Sequence, residues 1–147
     1  MNRRRFLAAA AAGGAAAYGA LVEPRRLQVT HHAIEPRSGD SRARLVVAQV
    51  TDLHIHGVGR VHRAIAARLA EIRPHLVVFT GDSVDTPADL PVFARFLALL
   101  DARTPKYAIL GNWEHWGHVD RRELAALYER HNGRLLVNET EIGRAHV

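Results

Sequence analysis

The sequence predicts an α/β fold built on a parallel sheet, and three observations carry that expectation. From Leu45 onwards, short apolar runs alternate with segments whose apolar residues recur at helical spacing. Two of the runs, "LVVAQV" and "LVVF", are nearly continuously apolar, as strands covered on both faces are. Strand, helix and strand then follow one another in the order that right-handed crossovers generate.

The first residues stand apart from that pattern. "MNRRRFLAAAAAGGAAAYGALVEP" opens on Arg3, Arg4 and Arg5, continues through Phe6 and Leu7, and runs uncharged and alanine-rich to Val22. The order Arg-Arg-x-Phe-Leu over Arg3 to Leu7 resembles a twin-arginine export signal. Residues 1–22 are therefore expected to be an address read by the twin-arginine export machinery; an ordinary secretory signal or an amino-terminal anchor is the other reading. Export by that route would place the protein in the periplasm or on the outer face of the cytoplasmic membrane, near the bilayer.

Leu27 to Ile34 alternates weakly and reads as a first strand, Gly39 and Asp40 as a turn, and Leu45 to Val50 as a second strand. In "GRVHRAIAARLAEIRP", Val61, Ile65, Leu69 and Ile72 share one helical face, and Pro74 ends it. "HLVVFTGD" is a strand. "TPADLPVFARFLALLDA" reads as a helix with Thr86 at its cap, Pro87 in its first turn, and Leu90, Phe93, Leu97 and Leu100 buried. "KYAILGN" is the next strand. "HVDRRELAALYERHNG" is helical through Leu124, Leu127 and Tyr128 and stops at Gly133, and "RLLVNE" is a last strand. The closing Ile142 to Val147 resembles translated adapter sequence, so residues 142–147 are expected to be a non-native tail on a truncated domain.

Composition narrows the chemistry. The chain has 20 basic and 15 acidic residues, but three of the arginines fall in the first 19 positions, and the remainder carries a net charge of only +2. No nucleic-acid-binding surface is evident in that balance. The absence of cysteine excludes disulfides and thiolate metal sites, so any metal must rest on His, Asp, Glu or Asn.

Such residues occur at the ends of three strands: Asp52-Leu53-His54, Gly81-Asp82-Ser83-Val84-Asp85 and Gly111-Asn112. Asp52, Asp82 and Asn112 recur every 30 residues, about one βαβ unit. The carboxyl ends of parallel strands share one sheet edge, where ligands bind, so the clusters should converge. Hard oxygen and imidazole donors suit Mn, Fe, Zn or Mg. Taken singly, Asp52 and Asp82 read equally as turn or cap acids and Asn112 as a turn residue. His56 continues the alternation of Asp52 and His54, while His62, His75 and His131 read as surface residues.

The run "DLH…GDSVD…GNWE" resembles the calcineurin-like metallophosphoesterase family, whose motifs are Asp-x-His, Gly-Asp-x-x-Asp and Gly-Asn-His-Asp/Glu; with the export signal it is most similar to an exported bacterial phosphodiesterase branch. The resemblance covers Leu45 to Glu114. It implies that residues 23–141 are the amino-terminal, parallel βαβαβ half of a four-layer αββα sandwich. Two divalent ions are implied, with Asp52 and His54 on the first, Asp82 bridging, and Asn112 on the second. A hydroxide bridging the ions would attack a phosphodiester or phosphomonoester. Asp85 and Glu114 would support the ligands from behind.

One position departs from the family. The histidine that follows Gly-Asn as a proton donor is Trp113 here, and an indole cannot supply a proton at a useful pKa. His115, rather than His118, is the expected substitute, reaching the site from a loop before the next helix. Two alternatives stay open: a metal- or ligand-binding relative without hydrolytic activity, and an α/β module of unrelated chemistry.

Overall fold

The computed structural model describes residues 27–34 and 45–141. Residues 1–22, expected as an export signal, and residues 142–147, expected as a non-native tail, lie outside the described residues. Residues 27–34 carry no regular secondary structure, contrary to the strand expected there. Leu27 is half-buried and the residues after it are exposed, with Ile34 at 93 %; weak alternation has no apolar face to bury, so nothing recruits this segment to a sheet.

The remaining elements follow the expected order, with one short helix added after the third strand. They are β1 (Val47–Val50), α1 (Arg60–Ile72), β2 (Leu76–Thr80), α2 (Leu90–Leu97), β3 (Lys106–Ile109), α3 (Asn112–Trp116), α4 (Arg121–Arg130) and β4 (Gly133–Leu135). All four strands are parallel and lie in sequence order, β1-β2-β3-β4. The register aligns Ala48, Val77, Lys106 and Gly133 in one row and Val50, Phe79, Ala108 and Leu135 in another.

Those two rows are the inner face, and they are buried or nearly so. The opposite face carries Val47, Leu76, Val78, Tyr107 and Ile109, half-buried or exposed. Consecutive right-handed crossovers put every helix on the same side of the sheet, so the expectation of strands covered on both faces holds for one face among the described residues. On the covered side, Phe79 meets Phe93 edge-on at 6.0 Å and Tyr128 at 5.7 Å, and Phe93 meets Tyr128 at 5.5 Å. These rings fasten β2 to α2 and α4.

The second predicted helix is shorter than the sequence suggested. A 3-10 turn over Pro87–Asp89 precedes α2, which ends at Leu97; Leu90, Phe93, Leu97 and Leu100 are buried as expected, with Phe96 beside them. At the amino end of β3, Lys106 is 1 % exposed and donates Nζ to the carbonyls of Asp101 and Thr104. Its burial pulls the ammonium below its ordinary pKa. His62, expected at the surface, is half-buried. Its ring packs edge-on against Phe96 at 5.9 Å, its Nδ1 accepts from the Gly59 amide, and burial lowers its pKa.

Candidate metal centre

β1 and β2 both run into short polar loops at the same edge of the sheet. The two loops are stitched together by backbone bonds: the amide of Asp52 donates to Gly81 O, His54 to Asp82 O and Ile55 to Ser83 O. The stitching holds three residues in the left-handed region, with φ of 53° at Asp52, 41° at His54 and 52° at Asp82. Side chains visit that region rarely, and it persists where surrounding contacts over-determine it. Here the result is a convergence of donors. Asp52, His54 and Asp82 each offer a ligand atom, and the three atoms lie within 4.8 Å of one another.

Each donor is held from behind. Thr51 Oγ1 donates to Asp52 Oδ2 at 2.6 Å. His54 Nδ1 lies 2.7 Å from Asp85 Oδ1, which leaves Nε2 as the ring nitrogen free for a metal. Asp82 Oδ1 accepts from the Trp113 amide at 2.9 Å. Two carboxylates and an oriented imidazole this close together are a donor set that fits a divalent ion.

The third strand end comes in through glycine. A Cβ on Gly111 would sit 2.2 Å from Asp82 Oδ1 and 2.5 Å from the Asp82 amide; one on Gly81 would sit 2.6 Å from the Gly111 backbone. Only two glycines let β2 and β3 approach so closely at their ends. Asn112, the first residue of α3, is therefore carried beside Asp82, between Gly111 and Trp113, with its side chain exposed.

Glu114 organises the junction. It is 2 % exposed, and its carboxylate accepts from the amides of Gly111 (2.9 Å), Asp82 (3.0 Å), Ser83 (2.7 Å) and Val84 (3.4 Å). One side chain thus satisfies backbone amides of the loops after β2 and β3, which carry the expected ligands Asp82 and Asn112. Ser83 is buried as well and bonds the Tyr128 hydroxyl, whose pKa burial pushes up.

Residues 112–116, expected as a loop, form α3. Helical geometry moves His115 one turn along from Asn112 on the exposed side of the helix. It is not one of the three clustered residues. Trp113 instead places its ring against His54, edge to face, with centroids 5.4 Å apart, and Trp116 stacks edge-on against Trp113 at 5.8 Å. Both indoles are exposed, 42 % and 63 %.

Sequence reasoning left His56 undecided and missed Asp89. His56 Nε2 is 3.2 Å from Asp85 Oδ2 and its Nδ1 is 3.1 Å from Asp89 Oδ1. The bond from Asp89, strengthened by both acids, raises the His56 pKa against slight desolvation. Burial pushes the Asp89 carboxyl up, but bonds from Thr86 and His56 outweigh it and leave it below its ordinary value. The signal was in the sequence: Thr86-x-x-Asp89 has capping-box spacing.

Comparison with known proteins bears on this geometry. The family model described as calcineurin-like phosphoesterase matches residues 45–143. An uncharacterized metallophosphoesterase of Bacillus subtilis (strain 168), YkuE, is 29 % identical over 136 residues, covering 80 % of this chain and 46 % of the relative. The chain spans about half the length of that curated relative. No solved structure gives a significant match.

Proposed function

The chain belongs to the calcineurin-like phosphoesterase family, and on that premise we propose that it is the metal-bearing part of a dinuclear hydrolase that cleaves phosphodiester or phosphomonoester bonds. The observation that carries the reading is the convergence of Asp52, His54 and Asp82 within 4.8 Å inside the stretch that matches the family.

Asp52 and His54 would hold one divalent ion, Asp82 would be shared, and Asn112 would reach the second. Mn, Fe, Zn and Mg all suit these donors. Bound ions would supply Lewis-acid polarisation of a phosphoryl oxygen. The chain's own groups do the rest: Asp85 orients His54, Glu114 fixes the loop of Asp82, and Trp113 screens one face of the His54 ring from water. The leaving oxygen needs a proton that Trp113 cannot donate. His115 is the imidazole on α3 assigned to that task.

Two ions sharing four side chains remain short of a full coordination shell. The 147 residues alone should therefore be inactive, and whole-protein activity is part of the proposal. Export rests on Arg3-Arg4-Arg5-Phe6-Leu7; cell fractionation should find the protein outside the cytoplasm and find the Arg3→Lys, Arg4→Lys double variant inside it.

The direct test loads full-length protein with Mn²⁺ and follows hydrolysis of bis-p-nitrophenyl phosphate and p-nitrophenyl phosphate. Turnover that disappears in Asp82→Ala together with bound metal supports the reading; unchanged metal content in Asp52→Ala and Asp82→Ala sinks it. Trp113 favours a second reading, a relative that binds metal without hydrolysis, and full metal loading with no turnover on either substrate would select it.

A further inference from the structure

A second group of titratable side chains extends outward from the three clustered donors. Starting at His54, imidazoles and carboxylates alternate: His54 Nδ1 to Asp85 Oδ1 at 2.7 Å, Asp85 Oδ2 to His56 Nε2 at 3.2 Å, and His56 Nδ1 to Asp89 Oδ1 at 3.1 Å. The other oxygen of Asp89 accepts from the Thr86 amide at 3.0 Å and from the Thr86 hydroxyl at 2.7 Å. The chain of contacts crosses between the loop after β1 and the loop after β2 three times, and it ends on the 3-10 turn that opens α2.

Exposure separates the members. The side chains of Asp85 and Asp89 are 13 % and 10 % exposed, whereas His56 is 65 % exposed. An exposed imidazole beside a metal site would ordinarily be a candidate proton donor. In His56 both ring nitrogens are engaged by carboxylates, so neither faces a reacting group.

We propose that His56, anchored by Asp89, is a positioning residue of the metal site: it pins Asp85 so that Asp85 holds His54 with Nδ1 inward and Nε2 free for the ion. The inference rests on the reading of His54 as a ligand. A carboxylate held through one oxygen can swing about its own axis and release the imidazole it orients. Asp85 is held through both, by His54 on one oxygen and His56 on the other. Asp89 closes the remaining freedom, because it grips His56 from the far side while its second oxygen is fixed by Thr86. Groups that orient a metal-binding histidine typically change metal affinity by about 10–100-fold when removed.

The experiment uses the full-length protein, Mn²⁺ titration calorimetry, and proton NMR of ring N–H resonances in metal-free protein. In the wild type the His54 Nδ1–H bonded to Asp85 should appear as a slowly exchanging downfield signal. His56→Ala should lose that signal and bind Mn²⁺ about 10–100-fold more weakly, while KM for p-nitrophenyl esters stays unchanged. His56→Gln, whose amide can still donate to Asp85, should recover the signal and part of the affinity. That rescue also serves if His56→Ala is too unstable to measure. Wild-type affinity and an unchanged N–H signal in His56→Ala overturn the proposal. If wild-type protein binds no Mn²⁺, the ligand reading of His54 fails; the metal-free NMR comparison then still decides whether His56 pins the Asp85–His54 pair.

Discussion

Removal of the Glu114 carboxylate should cost more stability than any other single polar truncation at the site, and its size follows from the bonds it makes. Oε1 accepts from Ser83 and Val84 and Oε2 from Asp82 and Gly111. The Val84 contact is long, which leaves three well-formed bonds. Each amide left without an acceptor costs about 1–3 kcal/mol. Glu114→Ala orphans all three, and water entering the vacated space recovers some of that, so a loss of about 4 kcal/mol is expected. Glu114→Gln divides the bonds unevenly: whichever oxygen becomes the amide nitrogen turns a donor toward a donor. Its expected loss is about 2–3 kcal/mol, larger if the nitrogen faces Asp82 and Gly111. Against a typical domain stability of about 5–15 kcal/mol, the alanine variant approaches the threshold of folding. Urea unfolding of the full-length protein measures both, as a shift in midpoint at constant slope. A loss below about 1 kcal/mol for Glu114→Ala would refute the assignment of Glu114 as the acceptor that holds the two loops.

Gly111→Ala forces a Cβ to within 2.2 Å of Asp82 Oδ1, so metal content by mass spectrometry should drop while far-UV dichroism stays near wild type. Trp113→His restores the imidazole that the family places after Gly-Asn; it should raise kcat on alkyl phosphodiesters, whose leaving oxygen needs a proton, far more than on p-nitrophenyl esters, and equal effects on both would count against a missing proton donor. Burial lowers the His62 pKa, so the folded state binds fewer protons there than the unfolded chain. The His62 contribution is therefore present above the ordinary value of about 6.5 and lost as pH falls through it. Melting curves from pH 8 to 5 should show a shallower acid-side decline for His62→Gln than for wild type. Chelation of metal-loaded protein by EDTA should lower the melting temperature, because an ion that binds only the folded state stabilises it by mass action; no change would argue against a site formed by folding.

The layout of strands and helices was legible because its signals are local. Apolar runs at Leu76–Thr80 and Lys106–Ile109 and the 3.6-residue spacing of Val61, Ile65 and Leu69 or of Leu124, Leu127 and Tyr128 need no knowledge of distant residues. Parallel order then puts Asp52, His54 and Asp82 at one sheet edge, so the convergence of these donors could be anticipated from their place at strand ends. The boundaries were less legible. α2 is shorter than its periodicity, α3 replaces an expected loop, and residues 27–34 form no strand.

What the tertiary structure alone decided is how those donors are held. The left-handed backbone at Asp52, His54 and Asp82 comes from bonds between loops about 30 residues apart. Glu114 reaches back to amides 30 to 32 positions earlier, and His56 to acids 29 and 33 positions later. No periodicity encodes such contacts, because they depend on which backbone groups a fold leaves unpaired at its edge and on which side chains lie near enough to satisfy them. Sequence determined where the donors would meet, through patterns that repeat every two to four residues. The direction in which each donor points was settled only when the loops closed on one another, since a carboxylate or imidazole is oriented by its partners and not by its neighbours in the chain.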